Sequence, residues 1–126
     1  NNSIVLSLNY GDIDFLFTGD AENKAEAAML VQSIVPVPDV EIMKAGHHAS
    51  RTASSADFLN IVKPETAVYS AAAGNSYGHP HKETLINLDN IGAKIYGTDV
   101  HGTVVITTDG KTYTIQTGKQ APPVKP

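Results

Sequence analysis

The chain has 126 residues, the size of one domain, with 9 Lys and Arg against 13 Asp and Glu, a net charge of −4 and no cysteine. That balance excludes a global basic field for non-specific nucleic-acid binding, and it excludes thiolate zinc sites, cysteine nucleophiles and disulfides. No apolar run is long enough to span a membrane, and Asn1-Asn2-Ser3 resembles neither a signal peptide nor a translated start, so the chain is expected to be cut from something longer.

Residues 3 to 9 and 13 to 18 are two apolar runs flanking Tyr10-Gly11-Asp12, which predicts a β-hairpin. From Ala21 to about Ser33 the spacing of Ala, Glu, Met and Leu predicts a helix, stopped by Val35-Pro36-Val37-Pro38. Val40 to Ala45 reads as a buried strand. Ser54 or Ser55 then caps a helix through Val62, which Lys63-Pro64 ends before the strand Thr66 to Ala71. The polar stretch Ala73 to Gly78 is a loop feeding a helix that starts near Pro80 and ends at Gly92. Lys94 to Tyr96, Thr103 to Thr107 and Lys111 to Gln116 are short strands, the last two joined at Asp109-Gly110 as a two-residue hairpin. Gly118 to Pro126, with three prolines and no periodicity, reads as a linker or disordered tail, leaving residues 1–117 as the folded part.

The order ββαβαβαβββ is an α/β pattern with a mixed sheet and helices on one face. Three helices are few for covering both faces of a largely parallel sheet, so half of a larger four-layer domain is expected.

The chemistry sits where strands end. Thr18-Gly19-Asp20 follows the apolar run Ile13 to Phe17, with Glu22 two residues on; Asp20 alone also fits a helix cap. Gly46-His47-His48-Ala49-Ser50-Arg51 follows the next strand and offers two imidazoles, a hydroxyl and a guanidinium, although paired histidines also fit an ordinary surface loop. Neighbouring parallel strands bring such ends together, which is where open α/β sheets hold ligands. Consecutive histidines in a strand or tight turn point to opposite sides, so His47 and His48 are expected to have different jobs. Imidazole with carboxylate suits Zn, Mn or Fe, and Ser50 with Arg51 suits phosphate. Tyr77-Gly78-His79-Pro80-His81 is a third cluster between a strand and a helix, while His101, beside Gly102, reads equally as a turn histidine.

The ordered set Asn2-Ser3-Ile4-Val5-Leu6, Phe17-Thr18-Gly19-Asp20-Ala21-Glu22, Lys44-Ala45-Gly46-His47-His48-Ala49-Ser50, Tyr77-Gly78-His79-Pro80-His81 and Thr98-Asp99-Val100-His101-Gly102-Thr103 resembles the C-terminal half of a ComEC-type metallo-β-lactamase-fold domain. The resemblance covers residues 1 to about 116. It implies an αββα sandwich with two divalent metal ions at its rim, zinc foremost and manganese or iron as alternatives. It places Asp20 between the metals, His48 as a metal ligand, and His47 and His79 as catalytic residues near the substrate. Glu22, Ser50, Arg51, His79 and His81 fall to substrate binding.

The family's first metal motif, H-x-H-x-D-H, has no match here, so the remaining ligands are expected from an N-terminal half that is the partner of this one. Ala49 stands where the family has Gly, a change expected to matter little. The resemblance implies a metal-dependent hydrolase of phosphodiester bonds, in DNA or a phosphorylated polymer, acting through a two-metal-activated hydroxide and inactive as an isolated fragment. It also implies a membrane-associated or extracytoplasmic parent protein involved in competence and DNA uptake. The alternatives are a lactamase or thioesterase of the same fold, and a binding module that has lost its metals. Oligomeric state is not legible.

Overall fold

A computed structural model describes residues 2–32 and 39–126. It is an α/β fold built on a mixed five-stranded sheet and a separate two-stranded ribbon. The strands of the sheet, in spatial as well as chain order, are β1 (Leu6–Tyr10), β2 (Ile13–Phe17), β3 (Ile42–Lys44), β4 (Thr66–Tyr69) and β5 (Lys94–Gly97). β1 and β2 are the expected antiparallel hairpin, and β2 through β5 run parallel. The connecting helices are α1 (Asn23–Val31), α2 (Ala56–Val62) and α3 (Lys82–Asn90), followed by the four-residue α4 (Thr98–His101). β6 (Val104–Thr108) and β7 (Tyr113–Thr117) form the ribbon. The helix stop read at Val35 to Pro38 lies outside the described residues.

Local chemistry accounts for these boundaries. The Ser55 hydroxyl accepts from Phe58 N–H and opens α2, and Lys63, in the left-handed conformation, closes it. The β6–β7 connection is longer than the two residues expected, because Asp109 Oδ1 accepts the N–H groups of both Lys111 and Thr112 at 2.8 Å and so builds a wider turn.

One face of the sheet carries the core. Leu16, Met43, Ala67, Tyr69 and Ile95 alternate inward and pack with Phe58, Leu59 and Val62 of α2 and Leu85 and Leu88 of α3. Burying each large side chain contributes roughly 1.5–3 kcal/mol. The opposite face is also apolar: the pairings set Leu6 across from Phe17, Leu8 across from Phe15, and Phe15 beside Ile42. Val104 and Ile106 of the ribbon meet Phe15, Phe17, Ile42 and Val68 on this side, but Leu6, Leu8 and Tyr10 stay about half exposed.

Residues 118–126, read as a linker or disordered tail, have no helix or strand and lie against the body. Val124 N–H donates to Ile95 O at 2.7 Å along the outer edge of β5, and Lys125 pairs with Asp89 at 2.7 Å. His101, fully buried, sets the position of this strap. Its Nε2 lies 3.1 Å from Pro122 O, and its Nδ1 accepts from Gly97 N–H at 3.2 Å, a pairing that requires the Nε2–H tautomer.

Candidate functional site

The C-terminal ends of β2, β3 and β4 converge on a pocket of about 420 Å³ lined by Asp20, His47, His48, Ala71, Ala72, Asn75, Tyr77 and His79. Each end arrives by a turn whose backbone is stitched to its neighbour. Gly19, at φ 56°, leaves β2 in a conformation that suits glycine, and a Cβ there would fall 2.4 Å from Ser3 Oγ. The same hydroxyl accepts Asp20 N–H at 2.7 Å, and Gly19 O accepts His47 N–H at 2.9 Å, so the Asp20 and His47 loops are locked together.

His47 and His48 do not continue β3. Gly46–Ala49 is a 3₁₀-type turn in which His47, His48 and Ala49 are all left-handed, at φ 48°, 56° and 60°. The alternation argument therefore fails, and both rings line one pocket with centroids 6.4 Å apart. Their jobs are separated by their partners instead. His47 Nδ1 lies 3.0 Å from Glu22 Oε1, so its proton points at the carboxylate and Nε2 is left for chemistry. His48 Nδ1 lies 2.8 Å from Ser70 O, a carbonyl that can only accept, which places the proton on Nδ1 and leaves the Nε2 lone pair available. Ala49 is fully buried in its left-handed turn, a conformation that costs a side-chain-bearing residue about 1–2 kcal/mol. Ala49 therefore carries a backbone cost that a glycine at this position would not.

His79 is the hub of the ring cluster, with centroids 5.9 Å from His47, 6.1 Å from His48, 5.7 Å from Tyr77 and 4.7 Å from His81. Desolvation, and then the charges of His81, His47, His48 and Arg51, push its imidazole below the usual histidine range. Its backbone is fixed by Asn75, whose Oδ1 accepts His79 N–H at 3.1 Å and whose amide donates to His79 O at 2.5 Å. At the rim, burial pushes the Lys44 ammonium down and the nearby Asp20 carboxylate counters it.

The other sequence-derived candidates are close by but differently engaged. His81 uses both ring nitrogens inside the protein, accepting Arg51 N–H at 3.0 Å on Nδ1 and donating from Nε2 to Tyr77 O at 3.2 Å. Arg51 is well exposed, with its guanidinium 3.6 Å from Glu83. Ser50 is buried, and its hydroxyl lies 3.1 Å from Thr52 Oγ1, which itself donates to Glu22 Oε1 at 3.2 Å. Glu22 and Ser50 are thus placed to hold His47 rather than to face the pocket.

Three supports are missed by the sequence reading. Ser70 contributes only a carbonyl, which any residue supplies. Glu26 is buried, and its carboxylate accepts Ser54 N–H at 2.5 Å and Ser55 N–H at 2.9 Å, pinning the segment after the histidine turn to α1; nothing in the helix spacing marks it apart from the other Glu residues. Asn75 was read as an ordinary loop residue, although an Asn two and four residues before Tyr77 and His79 fits a side-chain-closed turn.

Asp20 and the tautomer-fixed His48 fit two donors of a metal site, since a carbonyl behind an imidazole is the usual way a ligating ring is oriented. Among the described residues no group of three or more His, Asp or Glu side chains is arranged to hold a metal ion, so these residues do not make a complete centre alone.

No protein-family model matches the chain. It is 33% identical over 104 residues to ComE operon protein 3 of Bacillus subtilis, covering 82% of this chain and 13% of that protein. It is 37% identical over 100 residues to competence protein ComA of Neisseria gonorrhoeae, covering 79% and 14%. It is 29% identical over 104 residues to Recombination protein 2 of Haemophilus influenzae, covering 82% and 13%. The chain therefore spans a small part, 13–14%, of the length of these relatives, and over that span it is related to competence proteins.

Proposed function

We propose that this chain is the C-terminal half of a metallo-β-lactamase-type domain that hydrolyses phosphodiester bonds, with DNA as substrate, in a competence protein engaged in DNA uptake. The observation that carries the reading is the pairing of two differently oriented histidines in one pocket with Asp20: His47 backed by Glu22, and His48 backed by the Ser70 carbonyl. A carboxylate-backed imidazole suits proton transfer, and a carbonyl-backed one suits ligation.

In this reading Asp20 and His48 hold two divalent cations, zinc foremost, together with ligands from the N-terminal half. Such cations, when bound, supply the charge that activates water and neutralises phosphoryl oxygens. His47, with Nδ1–H committed to Glu22, takes a proton from the attacking water at Nε2 and passes it to the leaving oxygen. His79, held toward its neutral form by its surroundings, contacts the substrate, and Arg51 at the rim meets a phosphate oxygen. The half-exposed apolar face of Leu6, Leu8 and Tyr10 supports a sandwich, because a second sheet from the other half would cover it. No helix among the described residues is long and apolar enough to cross a membrane.

The test is cleavage of a labelled DNA strand by the intact protein before and after chelation. The expected result is loss of cleavage on chelation and recovery with added zinc or manganese. Cleavage that persists undiminished in a metal-free protein contradicts the reading.

A further inference from the structure

Tyr77 stands out among the aromatic residues of the site because it is 76% exposed while its backbone is held on both sides. Asn75 Oδ1 accepts its N–H at 3.1 Å, and His81 Nε2 donates to its carbonyl at 3.2 Å. A large ring left in water gains nothing from burial, and these two hydrogen bonds fix the loop that presents it. The ring is also aligned. Tyr77 lies 19° from parallel with His79, and His79 lies 17° from parallel with His48, so three rings form a near-parallel series along the lining of the pocket.

We propose that Tyr77 is a stacking platform for a nucleobase, adding a fourth ring to this series and registering the neighbouring phosphate against His47 and His48. This inference rests on the phosphodiesterase reading and narrows its substrate to nucleic acid whose base faces are accessible, a single-stranded stretch rather than a closed duplex. Every base has a π-face, so such a platform selects nucleic acid over a phosphorylated polymer lacking bases without selecting sequence. A platform already ordered in the free protein loses little side-chain freedom on binding.

The experiment compares the intact protein with its Tyr77→Ala, Tyr77→Phe and Tyr77→Trp variants. It measures affinity for a labelled single-stranded oligothymidylate and for an abasic oligonucleotide of equal length and charge. The wild type is expected to favour the base-bearing strand, and Tyr77→Ala to weaken that strand's binding by about 5- to 150-fold, bringing the ratio of the two affinities near one. Tyr77→Phe and Tyr77→Trp are expected to restore the ratio, which a loop that merely failed to fold would not allow. Equal binding of the two strands by wild type, or an equal loss on both in Tyr77→Ala, overturns the platform. Cleavage is read in parallel to separate the two ideas. Cleavage without base preference removes the platform and leaves the hydrolase reading standing; base-dependent binding without cleavage supports the platform and removes the hydrolase reading.

Discussion

Glu22 Oε1 sits 3.0 Å from His47 Nδ1, across a gap bridged on the other side by Thr52 Oγ1 at 3.2 Å from the same carboxylate oxygen. The two residues come from different strand ends, and their pairing sets the tautomer of the imidazole that faces the pocket. Glu22→Gln keeps the shape but replaces the carboxylate with a neutral amide, so the account predicts a fall in kcat of about 10- to 100-fold with KM little changed. Steady-state kinetics of phosphodiester cleavage by the intact protein checks this, and a change confined to KM would place Glu22 in substrate binding instead.

Glu26 supports the same turn from behind. Its carboxylate accepts two backbone N–H groups, and Glu26→Ala leaves the buried Ser54 N–H without this partner, at about 1–3 kcal/mol, and the part-buried Ser55 N–H at less. Hydrogen exchange at the Ser54 and Ser55 amides is expected to accelerate strongly in this variant. Glu26→Gln, which retains one acceptor oxygen, should fall between it and the wild type.

His101 governs the strap rather than the site. Replacing it with Ala removes a buried ring and strands Gly97 N–H and Pro122 O, a loss of about 2–4 kcal/mol in local stability. Exchange of the Val124 amide should speed accordingly, whereas Lys125→Ala, which removes a surface pair with Asp89, is expected to cost no more than about 1 kcal/mol.

The β6–β7 turn carries a pH signature. Hydrogen bonds from the Thr112 and Lys111 backbones hold the Asp109 carboxyl below its ordinary value of 3.8. A depressed carboxylate binds fewer protons folded than unfolded, so its contribution is fully present above the ordinary value and is lost as pH falls through the folded one. Asp109→Asn should therefore remove part of the acid sensitivity of the ribbon, seen as a smaller change in Thr112 amide exchange between neutral and acid pH.

The strand-end clusters around Asp20, His47 and His79 were legible because glycine and histidine mark the places where apolar runs stop, and parallel topology brings those places together. The orientation of each ring was not. His48 depends on the Ser70 carbonyl, and a backbone acceptor leaves no mark in a sequence. The period-two argument for His47 and His48 failed because three successive left-handed residues replace the strand, a conformation with no signature when two of the residues are His and one is Ala. The strap at 118–126 looked like a linker because prolines have no periodicity, yet Val124 and Pro122 dock through backbone atoms alone. The longer β6–β7 turn turned on the Asp109 side chain outcompeting the two-residue geometry that Asp-Gly favours.

The central claim is that Asp20 and His48 belong to a metal centre and His47 does not. Elemental analysis of the intact protein and its Asp20→Ala, His48→Ala and His47→Ala variants tests it most directly. The account predicts about two divalent ions per wild-type protein, a clear loss in the Asp20 and His48 variants, and retention with lowered turnover in the His47 variant. Wild-type protein without bound metal, or metal content unchanged by removing Asp20 and His48, would contradict it.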